Sequence, residues 1–178
     1  MADAVRLTIV SITIVSINIS GGDPTFKDSR IRDGKERSMG ALITGSLSVG
    51  FLKDNHFYCK KMGAVVRALA NPTFVHNRFY DCHTGLNLEE QARGTFDDNA
   101  VFDCVPDCIS VAVDATSDVM NNKLCSPLDS GGLNVPPAAQ PSSPATTCET
   151  RGSAAVIAVW MNGKTAFLWL RIEKTIIK

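Results

Sequence analysis

Apolar and polar positions repeat along this chain with a period of about 22 residues. A six-residue pattern, apolar at its first and sixth positions, occurs five times and begins at Phe26, Leu52, Phe74, Phe96 and Val119. The fourth positions of these copies are Ser29, Asn55, Asn77, Asn99 and Asn122. A fixed period in the twenties indicates a solenoid, in which each repeat buries its apolar face only against its neighbours.

The residues that follow each anchor alternate between apolar and polar. Asn77, for example, is followed by Phe79 and later by Leu86 and Leu88. Short alternating runs interrupted by Gly, Asn and Pro are typical of strands. Helical repeats need about 33 residues or more, and the frame of leucine-rich repeats is absent. Each unit is therefore predicted to contain about three short strands and to form one coil of a parallel β-helix.

The segment Asn77–Leu88, together with Gly94–Asn99, resembles the right-handed β-helix repeat of the carbohydrate-binding and sugar-hydrolase superfamily. It is most similar to the β-helix domain of F-box substrate adaptors. Asp23-Pro24 and Asn71-Pro72 also resemble the residues that open a coil in that family. The resemblance covers about residues 20–126 and implies the fold more than the function, because lyases, hydrolases and non-catalytic adaptors share such repeats.

The chain is thus predicted to be all-β, with a right-handed parallel β-helix solenoid of about five coils over residues 20–126. Residues 1–19 alternate with period two and are predicted to form an N-terminal strand or cap. Residues 127–150 are rich in Pro, Ser, Ala and Gly and are predicted to form a flexible linker. Residues 151–178 contain two apolar runs joined by Asn162-Gly163, which predicts a C-terminal hairpin, either a cap or separate from the solenoid.

The Asn anchors are predicted to be structural. Asn tolerates the left-handed conformation better than most residues, so we expect these positions to make the corners between strands. Asn side chains stacked in successive coils can also form a hydrogen-bonded ladder.

The six cysteines do not require an oxidised protein. Cys82 and Cys104 occupy the same repeat position in adjacent coils, about 4.8 Å apart at the strand spacing. Because Cys packs as a small hydrophobe, we expect both to be buried and reduced. The poor signal-peptide pattern then favours a cytoplasmic or nuclear location over secretion. A zinc site at Cys104 and Cys108 would need two further ligands at a matching spacing, for which Cys82 and His83 are the only nearby candidates, so no metal and no cofactor is predicted.

The charge balance bears on the partners. Lys and Arg number 18 and Asp and Glu number 18, which gives a formal net charge of zero. Nucleic acids and anionic membrane surfaces attract a basic excess, so neither is a predicted partner. The apolar stretch at residues 4–19 is interrupted by polar residues at period two and is not a transmembrane helix.

Two polar columns are predicted to flank the Asn anchors. The position before the anchor holds Asp28, Asp54, His76, Asp98 and Asn121, and the position after it holds Arg30, His56, Arg78, Ala100 and Lys123. The predicted ligand-binding residues are Arg30, His56, Arg78, Asp98 and Lys123, and the predicted ligand is an extended protein or polysaccharide lying along a coil face. Alternatively, the two columns pair only with each other across the corner, where each exposed pair contributes about 0–1 kcal/mol.

Asp54 and Asp98 are secondary candidates for a catalytic pair. They lie two coils apart, about 9–10 Å at the backbone, which overlaps the carboxylate separation in inverting glycosidases. Of the polygalacturonase-like signatures, however, only Asp97-Asp98 is present, and no carboxylate cluster like that of the pectate lyases occurs. The leading hypothesis is therefore a non-catalytic, adaptor-like binding or scaffold module. The alternative is a polysaccharide lyase or glycoside hydrolase, or a fragment of one.

Overall fold

The computed structural model describes residues 7–10, 13–14, 16–32, 39–59, 61–126, 133–134, 146–150, 154–161 and 164–171. In this part of the chain the strands wind into a parallel β-helix, and each coil contributes one strand to each of three sheets. The prediction of an all-β parallel solenoid is therefore confirmed.

The strands follow one another in groups of three. The first three coils contain β1 (Thr8–Val10), β2 (Thr13–Ile14) and β3 (Ile17–Ile19), then β4 (Thr25–Lys27), β5 (Arg30–Arg32) and β6 (Met39–Thr44), then β7 (Phe51–Lys53), β8 (His56–Tyr58) and β9 (Met62–Arg67). The next three contain β10 (Thr73–Val75), β11 (Arg78–Tyr80) and β12 (Thr84–Leu88), then β13 (Thr95–Asp97), β14 (Ala100–Phe102) and β15 (Asp107–Val111), then β16 (Asp118–Met120), β17 (Lys123–Ser126) and β18 (Leu133–Asn134). Sheet 1 is β1-β4-β7-β10-β13-β16, sheet 2 begins β2-β5-β8-β11-β14-β17, and sheet 3 is β3-β6-β9-β12-β15-β18.

The solenoid extends beyond the predicted residues 20–126 at its N-terminal end. Strands β1, β2 and β3 pair in parallel with β4, β5 and β6, so the segment expected to be a strand or cap forms a coil of its own. Within the predicted linker, β18 and β19 (Thr146–Thr150) are strands, and residues 127–132 and 135–145 lie outside the described residues. Strands β20 (Ala154–Met161) and β21 (Lys164–Arg171) pair antiparallel, and β19 joins this pair to the end of sheet 2.

Equivalent apolar residues form two columns in the core. Sheet 1 aligns Phe26, Leu52, Phe74 and Phe96, and sheet 2 aligns Ile31, Phe57, Phe79, Val101 and Leu124. All of these side chains are buried. The rings of Phe57 and Phe79 stack with centroids 4.6 Å apart, and those of Phe74 and Phe96 stack with centroids 5.3 Å apart. Both columns are as the repeat predicts, because a solenoid places equivalent positions above one another.

The Asn anchors form the ladder but not the left-handed corner. Asn55, Asn77, Asn99 and Asn122 are buried, and the side-chain oxygen of each accepts the backbone N–H of the anchor in the preceding coil. The positive φ angles of this corner, between 50° and 56°, belong to the residue before each anchor, such as Asp54 or His76. The prediction that Asn supplies this conformation was wrong. The Asn side-chain amide points inward and hydrogen-bonds buried backbone groups. The residue before the anchor adopts the left-handed conformation instead.

Glycines on sheet 3 make room for the core aromatics. Met39, Met62 and Thr84 are aligned in β6, β9 and β12. Each is followed by a glycine, namely Gly40, Gly63 and Gly85. A Cβ atom at Gly63 would lie 2.6 Å from Cδ1 of Phe79 and would also overlap the carbonyl oxygen of Gly85. Any side chain at this position therefore forces the Phe79 ring or the neighbouring strand to move.

Replacement of Gly63 by Ala is expected to lower the free energy of unfolding by about 1–3 kcal/mol, because overpacking a filled core costs this much. Urea denaturation of wild type and variant measures the difference. Gly50→Ala is the control, since the nearest atom to a Cβ there is the terminal Cδ1 of Ile19, 2.9 Å away, which can rotate aside. Equal losses in the two variants would show that the close approach at Gly63 is not the cause.

The buried cysteines stack at the second corner, between sheets 2 and 3. Cys59, Cys82 and Cys104 are buried there, and Cys108 is buried in β15. The thiol of Cys82 donates to the carbonyl of Tyr80 at 3.5 Å, and that of Cys104 donates to the carbonyl of Phe102 at 3.3 Å. Hydrogen bonding to Cys108 and to Cys82, together with burial, raises the pKa of Cys104. The prediction that Cys82 and Cys104 are adjacent and buried is confirmed, and they act as small core side chains.

Candidate ligand-binding face

The predicted basic residues lie in one column on the outer face of sheet 2. Arg30, His56, Arg78, Ala100 and Lys123 are aligned partners in β5, β8, β11, β14 and β17, and we call them the basic column. Each precedes a buried core residue, so the strand pleat directs its side chain outward. The fold therefore brings these four polar residues and Ala100 into one column, although Arg30 and Lys123 are 93 positions apart in the sequence.

Arg30 and Arg78 are exposed, and neither has a salt-bridge partner among the described residues. His56 lies between them and is half-buried. Burial, and then the charges of Arg78 and Arg30, lower the pKa of His56. The imidazole is consequently neutral at pH 7, and the column has a fixed positive charge on either side of a neutral ring.

A second outward column runs beside the basic one and was not recognised in the sequence. Tyr58, Tyr80 and Phe102 are aligned in β8, β11 and β14, and we call them the aromatic column. The rings of Tyr58 and Tyr80 have centroids 5.2 Å apart and are tilted by 39°, and Tyr80 also meets the ring of His56 edge-on at 6.5 Å. The available signal was the aromatic residue at the third position after Asn55, Asn77 and Asn99.

Acidic side chains border the aromatic column at the second corner. A hydrogen bond to the Asp81 carboxylate and the negative charge of that group raise the pKa of Tyr58. Asp81 has a φ of 57°, so it occupies the corner itself and does not continue the sheet face. The face between the first and second corners therefore consists of the basic column and the aromatic column side by side.

In the column before the anchors, His76 contacts its neighbours along the solenoid axis. His76 Nδ1 lies 3.6 Å from Asp54 Oδ1, and its Nε2 lies 3.0 Å from Asp98 Oδ2. Lys53 Nζ lies 3.8 Å from Asp54 Oδ2. These contacts differ from the alternative expectation that the acidic and basic columns pair across the corner. Asp98 is predicted to share the ligand site with Arg78, but its carboxylate contacts His76 instead.

The two catalytic candidates are bridged by this histidine. His76 contacts both Asp54 and Asp98, whose side chains are 40% and 65% exposed. An inverting glycosidase needs the space between its two carboxyl groups for a sugar and an attacking water. Here an imidazole lies between them, so the arrangement serves better as an exposed charge network than as an acid–base pair.

Neither a metal site nor a membrane-spanning helix is found in the described part of the chain. No group of three or more His, Cys, Asp and Glu side chains there is arranged to hold a metal ion. These same residues contain no helix that is long and apolar enough to cross a membrane.

The chain matches a known protein family. A family described as the right-handed beta helix region matches residues 2–133 of the 178. No curated protein and no solved structure matches the chain.

Proposed function

The chain belongs to the right-handed β-helix family, and from this premise we propose that it is a non-catalytic binding module that holds an extended ligand along the outer face of sheet 2. The observation that carries the proposal is the basic column, in which Arg30 and Arg78 stay exposed and without salt-bridge partners among the described residues. Positive charges two strands apart on one exposed face repel each other weakly, even with a neutral ring between them. A bound anionic group would relieve that repulsion.

The shape of the face favours an extended ligand over a compact one. Aligned residues repeat at the strand spacing of about 4.8 Å, and three of the five strands, β5, β11 and β17, place a cation on this face. Each exposed contact contributes little, about 0–1 kcal/mol for an ion pair. Measurable affinity therefore requires contacts on several coils at once. Only a ligand that runs along the solenoid axis can make them.

We further propose that the ligand is a protein or a polysaccharide. We also propose that the module is located in the cytoplasm or nucleus. The zero formal net charge supports partners other than nucleic acids and anionic membranes. The buried thiols support a reducing compartment. A substrate-adaptor role fits this surface, since an adaptor needs a long face for its substrate and no catalytic group.

Charge reversal at Arg78 is expected to reduce binding at least several-fold, with little change in stability. Arrays of acidic and neutral oligosaccharides and peptides identify the ligand of the wild-type protein, and titration of that ligand compares wild type with Arg78→Glu. Because Arg78 is exposed, its replacement should change the free energy of unfolding by no more than about 0.5 kcal/mol. Arg93→Glu, an equal charge change at an exposed residue outside sheet 2, is the matched control and should bind like wild type.

Two results would contradict the proposal. If Arg78→Glu folds normally and keeps full affinity, the face of sheet 2 is not the site. If the wild type depolymerises a polysaccharide and Asp98→Asn abolishes turnover, the protein is an enzyme. Asn is the suitable replacement because Asn121 already occupies the equivalent left-handed position, with a φ of 52°.

A further inference from the structure

The fixed charges of the basic column occur at every second strand. Arg30 is in β5, Arg78 in β11 and Lys123 in β17, while the intervening strands place His56 and Ala100 in the same column. Neighbouring strands are about 4.8 Å apart, so successive cations are about 9.6 Å apart along the axis. The face therefore has a charge period of its own, which is twice the period of the fold.

That charge period matches one conformation of a peptide. A polyproline II helix has three residues per turn and rises about 3.1 Å per residue, so equivalent side chains recur every 9.3 Å or so. A peptide with an acidic residue at every third position would place one carboxylate opposite each of Arg30, Arg78 and Lys123. Over the two intervals the mismatch is only about 0.6 Å, which the long side chains of Arg and Lys can absorb.

The aromatic column provides the apolar half of such a site. The rings of Tyr58 and Tyr80 pack partly on each other, with centroids 5.2 Å apart, and are half-buried. Because the two rings are tilted against each other by 39° and are half-buried, part of each aromatic face is covered, whereas a sugar ring stacks on an open aromatic face. Proline-rich peptides in the polyproline II conformation dock into aromatic-lined grooves. The combination of packed aromatic rings and periodic cations therefore favours a peptide over a glycan.

We propose that the ligand of this face is an acidic, proline-rich peptide in the polyproline II conformation, which runs along the solenoid axis with a carboxylate at every third residue. The inference rests on the proposed function and specifies its ligand. Arg30, Arg78 and Lys123 bind the carboxylates, and Tyr58, Tyr80 and Phe102 contact the prolines.

Two synthetic peptides of identical composition test the spacing. The first repeats Glu-Pro-Pro four times, and the second repeats Glu-Glu-Pro-Pro-Pro-Pro twice, so that both contain four Glu and eight Pro. Calorimetric titration at low ionic strength should show that the full-length protein binds the first peptide several-fold more tightly, because that peptide aligns a carboxylate with all three cations, whereas the second can align carboxylates with Arg30 and Lys123 only. Arg78→Glu should lose this affinity about tenfold, and Arg93→Glu should keep it.

The remaining outcomes separate this inference from the function on which it rests. Equal binding of both peptides would overturn the charge spacing. Binding of an oligogalacturonate that Arg78→Glu loses, with neither peptide bound, would overturn the peptide ligand and leave the binding module standing. Full peptide affinity in Arg78→Glu would overturn both proposals, since the ligand would then lie elsewhere. Cleavage of the oligogalacturonate by the wild type would overturn the non-catalytic function.

Discussion

Replacement of Asn77 by Ala is expected to lower the free energy of unfolding by about 3–5 kcal/mol. The variant loses four buried hydrogen bonds, each of which contributes roughly 1 kcal/mol, and leaves the buried backbone N–H of Asn55 without its partner. The side-chain oxygen of Asn77 accepts bonds from the backbone N–H and the side-chain amide of Asn55, both at 3.0 Å. Its own amide donates to the carbonyl of Leu52 at 2.8 Å and to the side-chain oxygen of Asn99 at 3.0 Å. The substitution thus interrupts the ladder in the middle of the solenoid.

Urea denaturation followed by circular dichroism measures this loss. Asn87→Ala is the control, because Asn87 lies on the outer side of β12 and is only half-buried. Its side-chain amide donates a hydrogen bond to the carboxylate of Glu89 at 2.6 Å. We expect a change of about 1 kcal/mol or less for that variant. If Asn77→Ala proves no more destabilising than Asn87→Ala, the ladder does not contribute to stability in the way its geometry implies.

Truncation of Phe79 to Ala is expected to cost about 3–5 kcal/mol, the usual range for a buried aromatic side chain. Phe79 is fully buried, stacks on Phe57 with centroids 4.6 Å apart and lies 6.2 Å from the ring of Phe74. Its removal leaves a cavity between two coils that the sheets on either side cannot close. The loss is comparable to a large part of the 5–15 kcal/mol or so that stabilises a typical domain.

Phe79→Leu separates the packing effect from a general intolerance at this position. The same column contains Ile31, Val101 and Leu124, so it accepts aliphatic side chains. We expect Phe79→Leu to cost at least about 1 kcal/mol less than Phe79→Ala, because most of the volume is retained. Thermal or urea unfolding of the two variants provides the comparison, and equal losses would refute the cavity explanation.

The core could be predicted from the sequence because it depends on periodicity alone. The alternation around Asn55 and Asn77 identifies Phe57 and Phe79 as inward-facing, and the 22-residue period places one above the other. Parallel pairing at constant register then extends the same two columns through every coil. No knowledge of side-chain conformation is needed for this step.

The surface could be predicted only in part, since its contacts depend on geometry that the repeat does not specify. The sequence places His76 beside Arg78, but only the corner geometry shows that the imidazole turns along the axis to Asp54 and Asp98. The aromatic column was missed because Tyr58 and Tyr80 follow buried Phe residues and were not distinguished from the core. The identity of the left-handed residue was also missed, because Asp, His and Asn occupy that position in turn.

The alternating charges bear on how this chain can change its length during evolution. Loss of residues 56–77 would join Asn55 to Arg78 and preserve every core column, because equivalent residues replace one another. The fold therefore tolerates gain or loss of a single coil. The same deletion would remove His56 and place Arg30 directly beside Arg78, which would destroy the alternate-strand charge pattern. Natural variants that keep the proposed ligand should thus differ in length by pairs of coils, whereas variants that differ by one coil should have changed or lost it.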